Sequence, residues 1–355
     1  MAFSSAELTN IANAALDYYI DKGKVHENTL ADKPLLQKIE AGAAVFPGGK
    51  ENVSLAVKGA YGDGNSATNE VAGYTHNDTV SYINPANILR VNYPWKEHHT
   101  GISVTLTELK KDGISVVDSI DGKSTSNHSG REQHALANLL EDKLSDMMES
   151  YARGMNTLLY GDGTGDANAF AGIRAFIKDD PTAGSVGGLA ATNTWWRSRA
   201  NLAISTTATG DELVQLLHQE MRQLRRFGGR PDIAVAGSAF LDRLGEQIRA
   251  KGNYTQTGFS SSGATDISMA EISYGGLKFV YDPALDDLTV SGKDPDKRCY
   301  IIDSSKLKMH YMQGEKMKRH SPARSATQYV MYRAITTTCV MCSSQLNCHG
   351  VYEIS

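Results

Sequence analysis

Residues 129–165 read SGREQHALANLLEDKLSDMMESYARGMNTLLYGDGTG, and this stretch decides the fold. Ser129 and Glu132 have the spacing of a capping box, serine at the N-cap and glutamate three positions on. Leu136, Leu140, Leu144, Met147, Tyr151, Met155 and Leu158 then recur every three or four residues. Leu139, Met148 and Leu159 widen that stripe. Glu141, Asp142, Lys143, Asp146, Glu149 and Arg153 occupy the other face. Gly161 supplies a C-terminal stop. A helix of roughly 29 residues, at 1.5 Å rise, spans about 43 Å. That is far longer than the usual globular helix of about 11–12 residues. A coiled coil is excluded because the pattern ends at Gly161. A stripe this broad needs a sheet to cover it, and extended runs at 87–107 and 327–341 can supply one.

Upstream, Ser4–Lys22 has helical spacing, with Leu8, Ile11, Ala12, Ala15, Leu16 and Tyr19 on one side. Leu30, Leu35, Leu36 and Ile39 suit a brief second helix after Pro34. This arm has little apolar surface of its own. It packs either on its own domain or on a neighbour. From Glu51 the period changes to two, with Val53, Leu55 and Val57 alternating with polar residues. Asn87–Trp95 and Gly101–Thr107 are again strand-like, with Ile102, Val104 and Leu106 on one face. The polar middle, Asn65–Asn84, makes these runs a large hairpin, which cannot stand alone without a partner surface.

Downstream, Gly184–Arg199 reads as a small-residue loop ending in Trp195-Trp196-Arg197. Thr209–Phe227 predicts an amphipathic helix with Leu213, Leu216, Leu217, Met221 and Leu224 inward, stopped by Gly228-Gly229-Arg230-Pro231. Asp232–Ala236 is a buried-type strand and Ser238–Lys251 another helix. Gly252–Thr265 is polar and Ser/Gly-rich. Leu277–Tyr281 and Arg298–Ile302 are strands. This order over Gly210–Asp303 describes an α/β unit. Thr327–Met341 predicts a long strand, and Val351-Tyr352-Glu353-Ile354 a short terminal one.

Composition narrows the function classes. The chain has 355 residues, 41% hydrophobic and 21% charged, which supports a real core. The net charge is −4, without the basic face that a dedicated nucleic-acid binder carries. Lys316-Met317-Lys318-Arg319-His320 is the densest basic stretch and reads as a solvated loop or local ion pairs. No run approaches about 18 apolar residues, so no membrane span is expected. Residues 1–7 lack a signal peptide's basic and apolar regions, which predicts a cytosolic origin and free thiols for the four cysteines.

Candidate chemistry is thin. Gly161–Gly165 resembles a phosphate loop in composition, but it follows a helix where such loops follow a strand. It reads as a turn, and Asp162 with Asp166 lacks the full calcium-loop pattern. Cys339, Cys342, Cys348 and His349 resemble a zinc set in residue type. Strand alternation places Cys339 and Cys342 on opposite faces, so buried thiols are favoured. His98 and His99 likewise point apart. No Gly-x-Ser-x-Gly elbow or His-Glu-x-x-His motif occurs. The sequence assigns no catalytic, cofactor-binding or metal-ligating residue. Trp195-Trp196-Arg197 is either an interface anchor, given the enrichment of Trp and Arg at binding hot spots, or ordinary packing.

Several segments in order carry a family resemblance. They are Phe46-Pro47-Gly48-Gly49-Lys50, Tyr93-Pro94-Trp95-Lys96, and Thr105-Leu106-Thr107-Glu108-Leu109. After the helix end Leu158–Thr164 come Ala171-Gly172-Ile173, Val186-Gly187-Gly188-Leu189 and Trp195-Trp196-Arg197. From about Val45 to its end the chain resembles the major capsid proteins of tailed bacteriophages, with the Hong Kong 97-type fold. The resemblance implies an α+β subunit: an N-arm at 1–50, an E-loop hairpin at 51–107, a P-domain with a spine helix at 108–167, an A-domain at 168–320, and returning C-terminal strands at 321–355. It implies a structural protein, not an enzyme, without cofactor. Such proteins assemble as hexamers and pentamers into an icosahedral head. The shell encloses double-stranded DNA without sequence-specific binding. Scaffolding, decoration and portal proteins are the implied partners. The implied location is the virion, with the host cytoplasm during assembly. Relatives that cleave a long N-terminal scaffolding segment differ from this chain, which has only a short helix ahead of the arm; a separate scaffolding protein, or none, is expected. Two alternatives remain: an encapsulin-like cargo compartment, which shares the fold and would bind a cargo peptide, and a cytosolic hydrolase, which would be a small oligomer with a defined pocket.

Overall fold

The long helix runs Gly130–Leu159 over 30 residues, and its C-terminal half lies across a five-stranded sheet. The computed structural model describes residues 3–4, 33–59, 75–77, 88–111, 116–117, 130–206, 212–250, 272–274, 276–290, 292–320 and 330–355. The expected helix beyond Ser4, most of the hairpin middle Asn65–Asn84, the capping serine Ser129, the polar stretch Gly252–Thr265 and the start of the strand at Thr327 lie outside the described residues.

The sheet under the helix is organised by Val330–Ser343. Along one edge it pairs antiparallel with Lys96–Thr105, from Val330 opposite Thr105 to Cys339 opposite Lys96. Its other edge takes Lys318–His320 and then Leu307–Met312. Ala44–Phe46 adds in parallel to Leu307–Met312. Leu144, Met147 and Met148 pack on Ile335, Ile102 and Met317. Each such buried side chain contributes about 1.5–3 kcal/mol. The Tyr151 hydroxyl lies 3.0 Å from Thr337 Oγ1 in the same interface. Of the two runs expected to cover the helix, the first divides: Lys96–Thr105 joins this sheet, while Ile88–Pro94 pairs with Asn52–Lys58 in the hairpin.

Two local expectations are corrected here. The strand expected through Thr107 ends at Thr105, and Leu106–Lys111 is a helix. Thr105 and Glu108 form a reciprocal capping box: the Glu108 N–H donates to Thr105 Oγ1 at 3.2 Å, and the Thr105 N–H donates to Glu108 Oε2 at 3.0 Å. Lys318–His320 is a strand rather than a loop. Local ion pairs do hold this stretch, Lys316 to Glu40 and Lys318 to Glu315.

The second sheet has six strands in the order Ile272–Tyr274, Leu277–Tyr281, Ile233–Ala236, Arg298–Ile302, Gly350–Ile354 and Arg199–Ile204. Ala234 and Ala236 face the helices Glu212–Arg225 and Ser238–Ala250, against Leu217, Leu224, Phe240 and Leu244. Ile233 and Val235 face the other way, into the core shared with the long helix. A strand covered on both faces explains the unbroken apolar run Ile233–Ala236. Arg199–Ile204 extends what reads in sequence as the end of a loop. Leu307–Met312, inward at Leu307, Met309 and Tyr311, belongs to the first sheet despite following the α/β unit in the chain.

Deep burial of His349 has a pH consequence. Desolvation holds its pKa down at about 4, and Nδ1 accepts the Asp303 N–H at 3.2 Å. The unfolded chain binds that proton more readily, so stability is full above about pH 6.5 and is lost as the pH falls toward 4. The slope from this group approaches about 1.4 kcal/mol per pH unit. In denaturant melts of dispersed subunits between pH 7 and 4.5, His349→Gln should flatten the loss; an unchanged slope would contradict the assignment.

Candidate assembly interface

The hairpin pairs Asn52 with Pro94 through Lys58 with Ile88 as a separate two-stranded sheet. One face is docked into the body along the described length. Val53, Val57, Val91 and Tyr93 are buried in the main core. The Tyr93 hydroxyl donates to the Ser343 carbonyl at 3.1 Å, and its ring lies 5.6 Å from Phe176. At the last described rungs, Ile88, opposite Lys58, is 68% exposed and Leu89, opposite the buried Val57, is 36% exposed. Apolar side chains held out on a hairpin that joins neither larger sheet are the chemistry of a surface awaiting a partner.

Three motifs that are individually weak in sequence have physical roles in this region. Val186-Gly187-Gly188-Leu189 is a tight hairpin between Ser185–Val186 and Leu189–Ala190. Both central glycines have positive φ, 61° and 86°, as a type I′ turn requires. The Gly187 carbonyl accepts the Asn92 N–H at 3.0 Å, tying this turn to the large hairpin. Ala171-Gly172-Ile173 closes the long helix. A Cβ on Gly172 would sit 2.4 Å from the carbonyl oxygens of Leu158 and Leu159. The helix itself ends in a tightened turn, with the Gly161 N–H donating to Leu158 O at 3.0 Å. Gly161 thus marks the end without a left-handed cap; positive φ falls on Gly163.

Trp196 is buried in the chain's own core, with Nε1 donating to Val186 O at 3.1 Å, so ordinary packing is its role. Trp195 is half-buried and covers Gly59 at the end of the first hairpin strand, where a Cβ would lie 1.9 Å from its ring. The arm is settled in the same way over its described part. Pro34–Ala41 is a helix whose Leu35, Leu36 and Ile39 pack on the body. Lys33 pairs with Glu149 at 3.3 Å, Lys38 with Asp232 at 2.9 Å, and Glu40 accepts from Tyr311 and Lys316.

The residues weighed for chemistry are dispersed or inert. His98 packs edge-on against Phe170 at 5.2 Å, while His99 is exposed. Burial lowers the His98 pKa. Asp162 accepts the Thr164 N–H at 3.0 Å, and Asp166 accepts the Asn168 N–H at 2.8 Å, so both fold their own turns. All four cysteines are free and buried. Cys348 Sγ lies 3.5 Å from His349 Nε2, but burial pushes this thiol up to about 12, the reverse of an activated nucleophile. Among the described residues no group of three or more His, Cys, Asp or Glu is placed to hold a metal, and no helix is long and apolar enough to cross a membrane. Sequence reading missed the Thr105–Glu108 cap and Leu307–Met312, although a T-x-x-E spacing and strict alternation signal them.

A long helix on one sheet, a second helix-backed sheet and a hairpin docked along one face define the Hong Kong 97-type subunit of a phage shell. Residues 98–353 match the SU10 major capsid protein family, and the chain belongs to that family. Solved structures agree on the fold. The cyanophage A-1(L) capsid asymmetric unit matches with a TM-score of 0.62 at 13% identity, over 91% of this chain and 92% of that one. Gordonia phage Cozz matches at 0.52 and 11%, over 89% and 86%. Mycobacterium phage Bobi matches at 0.52 and 12%, over 90% of each. No curated protein matches the sequence. The protein is thus a structural component of the virion capsid, not an enzyme, and the family match favours a phage shell over a cargo compartment.

Gly59→Ala should push Trp195 off the end of the first hairpin strand. The expected outcome is altered tryptophan fluorescence and a stability loss of about 1–3 kcal/mol in denaturant melts, the usual cost of overpacking. Wild-type emission and stability would show that this contact is not tight.

Proposed function

We propose that copies of this chain associate as hexamers and pentamers into an icosahedral head around double-stranded DNA, with the hairpin as the principal grip between subunits. The observation that carries this reading is the hairpin itself: docked on one face, in neither larger sheet, and apolar and exposed at Ile88 on its last described rung. Residues 1–50 serve as the N-arm and 51–94 as the E-loop, short of the 107 expected because Lys96–Thr105 belongs to the five-stranded sheet. The long helix with the five-stranded sheet forms the P-domain, and the six-stranded sheet with its helices the A-domain. The returning C-terminal strands serve both, Val330–Ser343 in one sheet and Gly350–Ile354 in the other. A net charge of −4 supports a wall that encloses DNA without gripping it. Assembly takes place in the host cytoplasm, with scaffolding, decoration and portal proteins as partners.

Size analysis with negative-stain microscopy of the expressed protein, alone and with its neighbouring gene products, tests this. Rings, tubes or closed shells are expected; a monomer under every assembly condition would sink the proposal. Deleting 65–84 should abolish shells while shifting the unfolding free energy of the body by no more than about 0.5 kcal/mol, as for surface changes away from a core.

A further inference from the structure

The six-stranded layer is charge-polarised from end to end. Ile233–Ala236 enters from the loop at 226–232 and leaves into Gly237 and Ser238. At the entry end, residues 222–230 hold Arg222, Arg225, Arg226 and Arg230, all exposed, and no carboxylate. Phe227 stands among them 58% exposed, with the Arg226 guanidinium 5.5 Å from its ring centroid. Gln345 Nε2 donates to the Phe227 carbonyl at 3.2 Å and fixes this loop to the body. The Ser344 N–H donates to Lys306 O at 3.0 Å, which brings the partly exposed Lys306 to the same end. Nearby carboxylates already have partners: Glu220 pairs with Arg199 and accepts the Tyr352 hydroxyl, Asp232 pairs with Lys38 and accepts from Ser304, and the buried Asp303 accepts the Arg230 N–H at 2.7 Å and Ser305. Complementing the helix dipole accounts for Arg222 and Arg225 in the last turn. It does not account for Arg226 and Arg230.

The exit end is acidic. Leu277–Tyr281 runs parallel to Ile233–Ala236, so it delivers Asp286 and Asp287 there, and Asp286 Oδ1 accepts the Ser238 N–H at 3.0 Å. Arg298–Ile302 runs antiparallel, so Asp294 and Asp296 precede it at this same end. Asp286, Asp287 and Asp294 are exposed here and Asp296 is half-buried, against Lys297, which pairs with Asp294 at 3.1 Å, and Lys293, which pairs with Asp179; Asp282 is buried and bonded inward. The two ends are about 20 Å apart along the strand direction. Two different, complementary patches on opposite ends of one rigid layer are what a head-to-tail contact requires, and a closed set of such contacts makes a ring. An exposed aromatic among arginines is also the usual composition of a protein contact. We propose that the basic end of one copy's α/β layer docks on the acidic end of the next copy around the ring; this rests on the capsid reading above.

Charge reversal with rescue tests it in the full-length protein. Arg222→Glu with Arg226→Glu, and separately Asp287→Lys with Asp294→Lys, should each cut particle yield roughly tenfold or more, because like charges then face each other. The four changes combined should restore assembly, with circular dichroism matching wild type throughout. Wild-type yield from either single-ended variant overturns the contact; if the arginine variant's shells instead lose bound duplex DNA, the basic end serves nucleic acid. A combined variant that is folded but does not assemble also overturns it. Failure of the wild-type chain to form any ring, tube or shell would sink the capsid reading and this contact together.

Discussion

Everything in this subunit depends on covering the apolar stripe of one 30-residue helix. Such a stripe is too broad for one strand and too short for a coiled-coil partner. The solution is a strand of nearly matching ambition, Val330–Ser343, paired on one edge with Lys96–Thr105 and on the other with two shorter strands. Those partners lie more than 200 positions apart in the chain, so the long helix closes a large loop and makes N-terminal and C-terminal halves one body. The arm is drawn in by the same helix, through Lys33 and Glu149, and by the sheet edge at Ala44–Phe46.

Buried polar groups fix how the two sheets sit against each other. Asp282 is fully buried at the start of the helix Pro283–Asp287, where it accepts the Ala284 N–H at 3.0 Å. It also accepts the Tyr160 hydroxyl at 2.8 Å, from the end of the long helix. Burial raises its pKa, and its hydrogen bonds work against that shift. Arg298 likewise spans the six-stranded layer, to Asp179 at 2.9 Å and Glu353 at 2.6 Å. Buried pairs of this kind add little net stability, but removing one partner is costly, so they act as locators. With both sheets located, the turn at Gly187 and the ring of Trp195 meet the hairpin at fixed points, Asn92 and Gly59.

The long helix, the α/β order and the hairpin were legible because their signals are local: a 3.6-residue stripe, period-two runs and glycine stops. The family resemblance was carried by short motifs whose reasons are tertiary. Nothing in Ala171-Gly172-Ile173 announces that Gly172 must clear two helix carbonyls. Leu106 satisfied the strand alternation, yet the Thr105–Glu108 cap turned the chain into a helix. Leu307–Met312 alternates cleanly but follows an α/β unit, so sequence order hid its membership of the other sheet. Trp195-Trp196-Arg197 could not be resolved from composition, because burial of Trp196 depends on the neighbouring turn.

Self-sufficient body and dependent hairpin are the two halves of the central claim. Hydrogen exchange compared between dispersed subunits and assembled particles measures both at once. The account expects amides of 143–159 and 330–343 to be equally protected in the two states. Those of 52–58 and 88–94 should gain protection toward the hairpin's outer end only on assembly. Full protection of the outer hairpin in the free subunit, or a long helix protected only in the particle, would contradict it.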